Sequence, residues 1–150
     1  MSNSPLGDSI QAAMKAAMKA KDKPRLNTIR LIRAEFKRIE VDERIEIDDA
    51  RALAVLDKMV KQRRESARQF ADAGRTDLVT QEENEIRVIQ EFLPAPLGEV
   101  EISAMVDEVL KATGASSMRS MGLVMGQLKP RLQGRADLGK VSQLVKQRLG

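Results

Sequence analysis

Between Gly114 and Gly150 the chain carries seven basic residues, Arg119, Lys129, Arg131, Arg135, Lys140, Lys146 and Arg148, against one acid, Asp137. Guanidinium and ammonium groups crowded on one short segment suit the binding of phosphates, so the segment is a candidate polyanion-binding surface. A solvated face that happens to be basic is the competing reading. Gly122 and Gly126 are four residues apart on the same segment, where their missing side chains permit close backbone approach. A neighbouring helix is the expected visitor, because glycine in an exposed helix costs stability without return, and an RNA backbone is the alternative.

A second constellation lies upstream. Helical spacing brings Arg63 onto or beside an apolar stripe, and Glu82 and Glu85 fall on the face of Leu78, Ile86 and Ile89. A buried arginine without a carboxylate would be very costly, which predicts a structural ion pair from Arg63 to Glu85 or Glu82 across a helical hairpin. A functional carboxylate pair is the sharper reading of the two glutamates. Lys61, Arg64 and Arg68 could form a second phosphate patch, although Asp57 and Glu65 are placed to neutralise part of it.

What is missing narrows the chemistry. There is no His and no Cys, which removes the commonest general base, the thiol nucleophile and the thiolate metal site. Neither Trp nor Tyr occurs, and the three Phe (Phe36, Phe70, Phe92) all fall on apolar helical stripes. Any RNA contact should therefore run through phosphates, sugars and shape rather than base stacking. No catalytic residue, metal or cofactor is expected.

Helices must position these groups. Asp8 or Ser9 can cap a first helix with the stripe Ile10, Ala13, Met14, Ala17 and Met18, after a loose start over residues 1–7. Asp22 and Pro24 open a second, buried through Leu26, Ile29, Ile32, Phe36 and Ile39. Arg30, Arg33 and Lys37 share one of its faces, and Glu40 is expected to pair with Lys37. The third helix, roughly 49–73, should stop at Gly74, and the fourth should end at Phe92-Leu93-Pro94-Ala95-Pro96. A fifth spans about 100–112. A sixth carries Met121, Val124, Met125, Leu128 and Leu132, with Pro130 implying a kink or early end. Gly134 marks a left-handed turn and Asp137 caps the last helix, buried through Val141, Leu144, Val145 and Leu149. The expected architecture is all-α: an N-terminal helical domain of about four helices over 1–94 and a three-helix bundle over 95–150.

The net charge of +4 hides a division. Residues 1–74 carry +4, residues 75–113 carry −6 and the tail carries +6, so attraction of a polyanion would be local to the tail. Hydrophobic residues at 42% and charged residues at 32% describe a globular chain with no run suited to a membrane span. With no cysteine and no secretory apolar core, the reducing cytoplasm is the expected compartment.

MGLVMGQLKPRLQGRAD followed by VSQLVKQRL, together with the upstream run KMVKQRRESARQFADAGRTDLVTQEENEIRVIQEFLP, resembles the GatB/YqeY family. The resemblance implies an all-helical fold with a three-helix tail. In larger members this tail ends the GatB subunit of the glutamine-dependent aspartyl/glutamyl-tRNA amidotransferase, where it helps hold the tRNA. It therefore implies a non-catalytic tRNA-binding accessory protein, with Lys129, Arg131, Arg135 and Lys140 as backbone contacts and Lys146 and Arg119 beside them. A label of carbon–nitrogen ligase with glutamine as amido-N-donor would be inherited from the larger relatives, because the helices and tail leave no candidate ATP fold or amidase nucleophile here. A helical adaptor for an amidotransferase or an aminoacyl-tRNA synthetase is the second expectation. It rests on Met105, Met118, Met121 and Met125, whose side chains adapt to varied surfaces. Three positions depart from the family pattern. Leu123 stands where a lysine is common, Leu138 where a glycine is common, and Phe92 where a tyrosine is common.

Overall fold

The computed structural model describes residues 4–150, and among these the chain is all helical, as the periodicities predict. It divides into two compact units, Met1–Pro94 and Ala95–Gly150.

The first unit begins a turn earlier than the sequence suggested. Helix α1 (Pro5–Ala20) is capped by Ser4, whose hydroxyl accepts the Gly7 N–H at 2.9 Å. Pro5 then occupies the first helical position, where a missing N–H costs nothing. Asp8, expected as a cap, instead lies inside the first turn, where its charge complements the helix dipole. Lys21, in left-handed conformation, ends α1, and Asp22 caps α2 (Lys23–Glu43) by accepting the Arg25 N–H. Arg44 closes α2 in another left-handed turn. The chain there doubles back so that Glu40 accepts the Ile47 N–H at 3.1 Å. The expected Lys37–Glu40 pair does not form, because a backbone donor without a helical partner takes that carboxylate first.

Asp48 caps α3 (Asp49–Asp72), and Gly74 at φ 72° makes the turn into α4 (Thr76–Gln90). These two helices form the most extensively packed pair of the unit. Its core gathers one stripe from each helix: Ile10 and Ala17, Ile29 and Ile32, Leu56 and Val60, and Ile89. Each fully buried aliphatic side chain there contributes roughly 1.5–3 kcal/mol over exposure to water.

In the second unit α5 (Glu99–Thr113) ends at Gly114, and a short 3₁₀ turn over Met118–Ser120 leads into α6 (Met121–Leu132). Pro130 lies inside the last turn of α6 and does not end it early. Gly134, at φ 77°, makes the turn, and Asp137 caps α7 (Leu138–Leu149) by accepting the Gly139 N–H at 2.9 Å. Val106 and Val109, then Val124, Leu128 and Leu132, then Val141, Val145 and Leu149 form the core. Arg135 ties the unit's start to this turn, its carbonyl accepting the Leu97 N–H at 2.9 Å.

Candidate nucleic-acid interface

The three-helix core fixes where each basic side chain of the second unit goes. Val124, Leu128 and Leu132 take the inner face of α6, so its opposite face points to solvent. By helical spacing that outer face carries Gly122, Gly126 and Lys129, with Arg119 in the preceding turn in line with them. All four residues are exposed. Lys140 and Lys146 lie on the exposed side of α7, opposite Val141 and Val145.

One of the candidates, Arg131, and the basic Arg148 of the same tail have acidic neighbours. Arg131 Nη2 lies 3.1 Å from Glu108 Oε2 of α5, and Arg148 contacts both Asp107 and the Ser103 hydroxyl of the same helix. Part of the tail's charge excess is therefore answered from the acidic stretch before it. The Arg131–Glu108 pair is 40% and 66% exposed, so it holds the side chain loosely and contributes at most about 1 kcal/mol. Arg135 is half-buried in the turn, and its Nε is buried with no hydrogen-bond partner among the described residues.

The two glycines overturn the expectation of helix packing. A Cβ placed on Gly122 or Gly126 would meet nothing within 4 Å, so no neighbouring helix exploits either one. Pro130, one turn on, has no N–H to offer the Gly126 carbonyl. The solvent side of α6 thus exposes backbone at Gly122 and Gly126, between Arg119 and Lys129, with the exposed side chains of Leu123 and Pro130 beside it. The signal was present in the spacing: residues 122 and 126 fall opposite the buried 124, 128 and 132, so only solvent or a partner could meet them.

The exposed apolar residues of this unit include Leu123, at 56%, and Met118, at 45%. Met105, Met121 and Met125 instead pack against the core, which withdraws most of the methionine support for an adaptor surface.

In the first unit Arg63 Nε donates to Glu85 Oε2 at 3.0 Å across the α3–α4 hairpin, and its Nη1 donates to the Met59 carbonyl at 3.3 Å. Both members of the pair are mostly withdrawn from solvent, at 16% and 17% exposure. Glu82 forms no ion pair with Arg63. Burial, and then repulsion from Glu85, push the Glu82 carboxyl above its ordinary range, with Arg63 opposing. The upstream basic run is largely paired: Lys61 with Asp57, and Arg68 with Glu65 and Asp72.

These features define an all-helical protein of two units, one near electrical balance and one with an outward basic face. The chain belongs to the family of Yqey-like proteins, whose profile matches residues 7–149. It is 34% identical to a protein of Pyrenophora tritici-repentis named altered inheritance of mitochondria protein 41, mitochondrial, over 94% of this chain and 79% of the relative. Proteins of the same name from Eremothecium gossypii and Lachancea thermotolerans are 40% and 35% identical over 67% of this chain. The chain spans 57% and 56% of the length of those two relatives. The mitochondrial names of these relatives overturn the expectation of a cytoplasmic compartment. That expectation rested on the lack of cysteine, which speaks against a disulfide-stapled fold and does not choose among reducing compartments. No helix among the described residues is long and apolar enough to cross a membrane.

Proposed function

We propose that the chain is a tRNA-binding accessory protein that holds the RNA backbone through the outer face of its C-terminal unit. The observation that carries this reading is the strip on α6, where Arg119 and Lys129 bracket the open glycines Gly122 and Gly126. The two cations attract phosphates, and the backbone exposed at the glycines between them lets a sugar–phosphate strand come closer than any side chain would allow. Lys140, Lys146, Arg135 and the loosely held Arg131 extend the positive surface. The resemblance to the tRNA-holding tail of amidotransferase GatB subunits supports tRNA as the polyanion. Exposed Leu123 and Met118 favour a second reading, a protein partner docked on the same unit.

The test is binding of bulk tRNA across a salt series, with double-stranded DNA as comparator and Arg119→Gln/Lys129→Gln as the variant. The wild type should bind tRNA more tightly, and the variant should lower the log–log salt slope by about 0.7–0.9 per lost cation. Equal weak binding to both nucleic acids, or an unchanged slope in the variant, would overturn this reading and favour the protein partner.

A further inference from the structure

Residues 15–23, where α1 turns into α2, hold four lysines, Lys15, Lys19, Lys21 and Lys23, against one acid, Asp22. All four lysines are exposed, and none has an ion-pair partner among the described residues. The acids within reach are already engaged. Asp22 caps α2 by accepting the Arg25 N–H. Asp77 and Glu85, which share a cleft with Lys23, are held by Arg75 and Arg63. Asp8, the acid of α1, precedes Lys15 by two turns, about 10 Å along the axis. Residues 1–94 carry eighteen basic and seventeen acidic side chains, so a unit in near balance has a local excess of positive charge at this corner. Among the cations stands Met18, 50% exposed, with exposed Ala16 and Ala20 close by. Ala17, at 2% exposure, makes the core contact of the same turn, and Met18 lies outside it.

We propose that the α1–α2 corner docks on the surface of an anionic phospholipid bilayer, the four lysines among the headgroups and Met18 dipping below them. The charge chooses an anionic partner, and three features choose a bilayer over a nucleic acid. The free cations are all lysines, compact point charges suited to a diffuse field of lipid phosphates, whereas the planar fork of arginine serves structured phosphate contacts. The methionine is exposed in their midst, where a bilayer offers it an apolar layer and a sugar–phosphate backbone offers nothing. The cations also project from the end of a helical hairpin, where Lys21 in left-handed conformation and Asp22 make the turn. A projecting end suits a flat surface, and a single strand is held better in a groove that tracks its backbone. Long lysine stems let the ammonium groups stay at headgroup level while the methionine enters. One apolar side chain and four lysines give a reversible attachment that salt weakens. The proposal stands independently of the tRNA reading, because it concerns another unit and another class of ligand.

The experiment is flotation of the full chain with vesicles of phosphatidylcholine and phosphatidylglycerol, with pure phosphatidylcholine vesicles as comparator. The wild type should float with the anionic vesicles alone, and raised salt should release it. Lys19→Gln/Lys21→Gln should lower partitioning about thirtyfold, a loss of about 2 kcal/mol. Arg119→Gln/Lys129→Gln, on the second unit, should partition as the wild type does. Met18→Trp gives the chain a single tryptophan, whose emission should shift to shorter wavelength on anionic vesicles and stay unmoved on neutral ones. The replaced side chains are exposed, so thermal melts of the variants should match the wild type and keep loss of binding separate from loss of fold. The corner variant should also keep its affinity for tRNA. No flotation with anionic vesicles, equal flotation with neutral ones, unchanged partitioning of the corner variant, or an equal loss in Arg119→Gln/Lys129→Gln would each overturn the proposal. So would an unshifted tryptophan in the bound protein, or a loss of tRNA affinity in the corner variant as large as its loss of lipid binding, which would make the corner a nucleic-acid site.

Discussion

Replacing Gly126 by alanine should make the protein more stable and a poorer RNA binder, a combination that a merely structural glycine does not give. Gly126 lies in the interior of α6, between the buried Val124 and Leu128 in sequence but on the opposite face. The added methyl group meets no atom within 4 Å, so it brings no steric cost. What remains is the helix preference of alanine over glycine, about 1 kcal/mol, arising from the backbone freedom that glycine has when unfolded. In a unit as short as 95–150, a gain of that size corresponds to about 4–8 °C in melting temperature. Gly122, in the first turn of α6, should gain less from the same change. Binding should move the other way, because a methyl group now stands where a phosphate strand is proposed to lie against the helix. Gly126→Ala removes no charge, so the salt slope of tRNA binding should stay as in the wild type while the whole line drops. Circular dichroism melts and fluorescence anisotropy with labelled tRNA, both on the full chain, measure the two effects. Unchanged affinity in a stabilised variant would refute the close-approach argument, and lowered stability would refute the open space.

Two further perturbations concern the α3–α4 hairpin. Arg63→Ala leaves Glu85, 17% exposed, without its partner. The cost should fall below the 3–5 kcal/mol of a fully buried broken pair, at about 1–3 kcal/mol. Urea denaturation reads this loss, and adding Glu85→Gln should recover part of it; strictly additive effects would show that the two groups are not coupled. The Glu82 carboxyl titrates above its ordinary 4.5 because it is partly withdrawn from solvent and lies beside Glu85. A carboxyl raised in the folded state contributes stability that is fully present below the unfolded value and is lost as pH rises through the folded value. Glu82→Gln should therefore be more stable than the wild type at neutral pH, and its advantage should shrink on acidification toward 4.5. Parallel stability curves for the two proteins across that window would contradict the assigned cause.

The helices were legible because their apolar stripes repeat at helical spacing and their ends carry strong punctuation: Asp22, Asp48 and Asp137 as caps, Gly74, Gly114 and Gly134 as stops. The start of α1 was not, because Ser4 and Asp8 are both good capping residues four apart, and Pro5 between them fits the first turn of the longer helix. Glu40 shows a different limit. Three-residue spacing from Lys37 suggests a pair along the helix, but the left-handed Arg44 turns the chain back and presents the Ile47 N–H, a competitor seven residues on. Helical periodicity carries no information about such a reversal.

The basic tail illustrates how charge read along a chain differs from charge on a surface. Counted by segment, an acidic stretch ends at 113 and a basic one begins at 114, and the two look like separate features. In the folded unit α5 is one of three helices around a common core, so Asp107 and Glu108 come beside Arg148 and Arg131. The unit 95–150 then holds eight basic and five acidic side chains, and the acids are not evenly spread. Two of them sit against α6 and α7 on the α5 side, and Asp137 is turned to its own helix cap. None of these three answers Arg119 or Lys129, so those cations keep their field on the outer face of α6. The excess that a segment count spreads over 37 residues is, on the molecule, directional. On the proposed reading, a polyanion approaching this unit would meet the side of α6 where Gly122 and Gly126 lie between two cations, with the exposed Leu123 beside them.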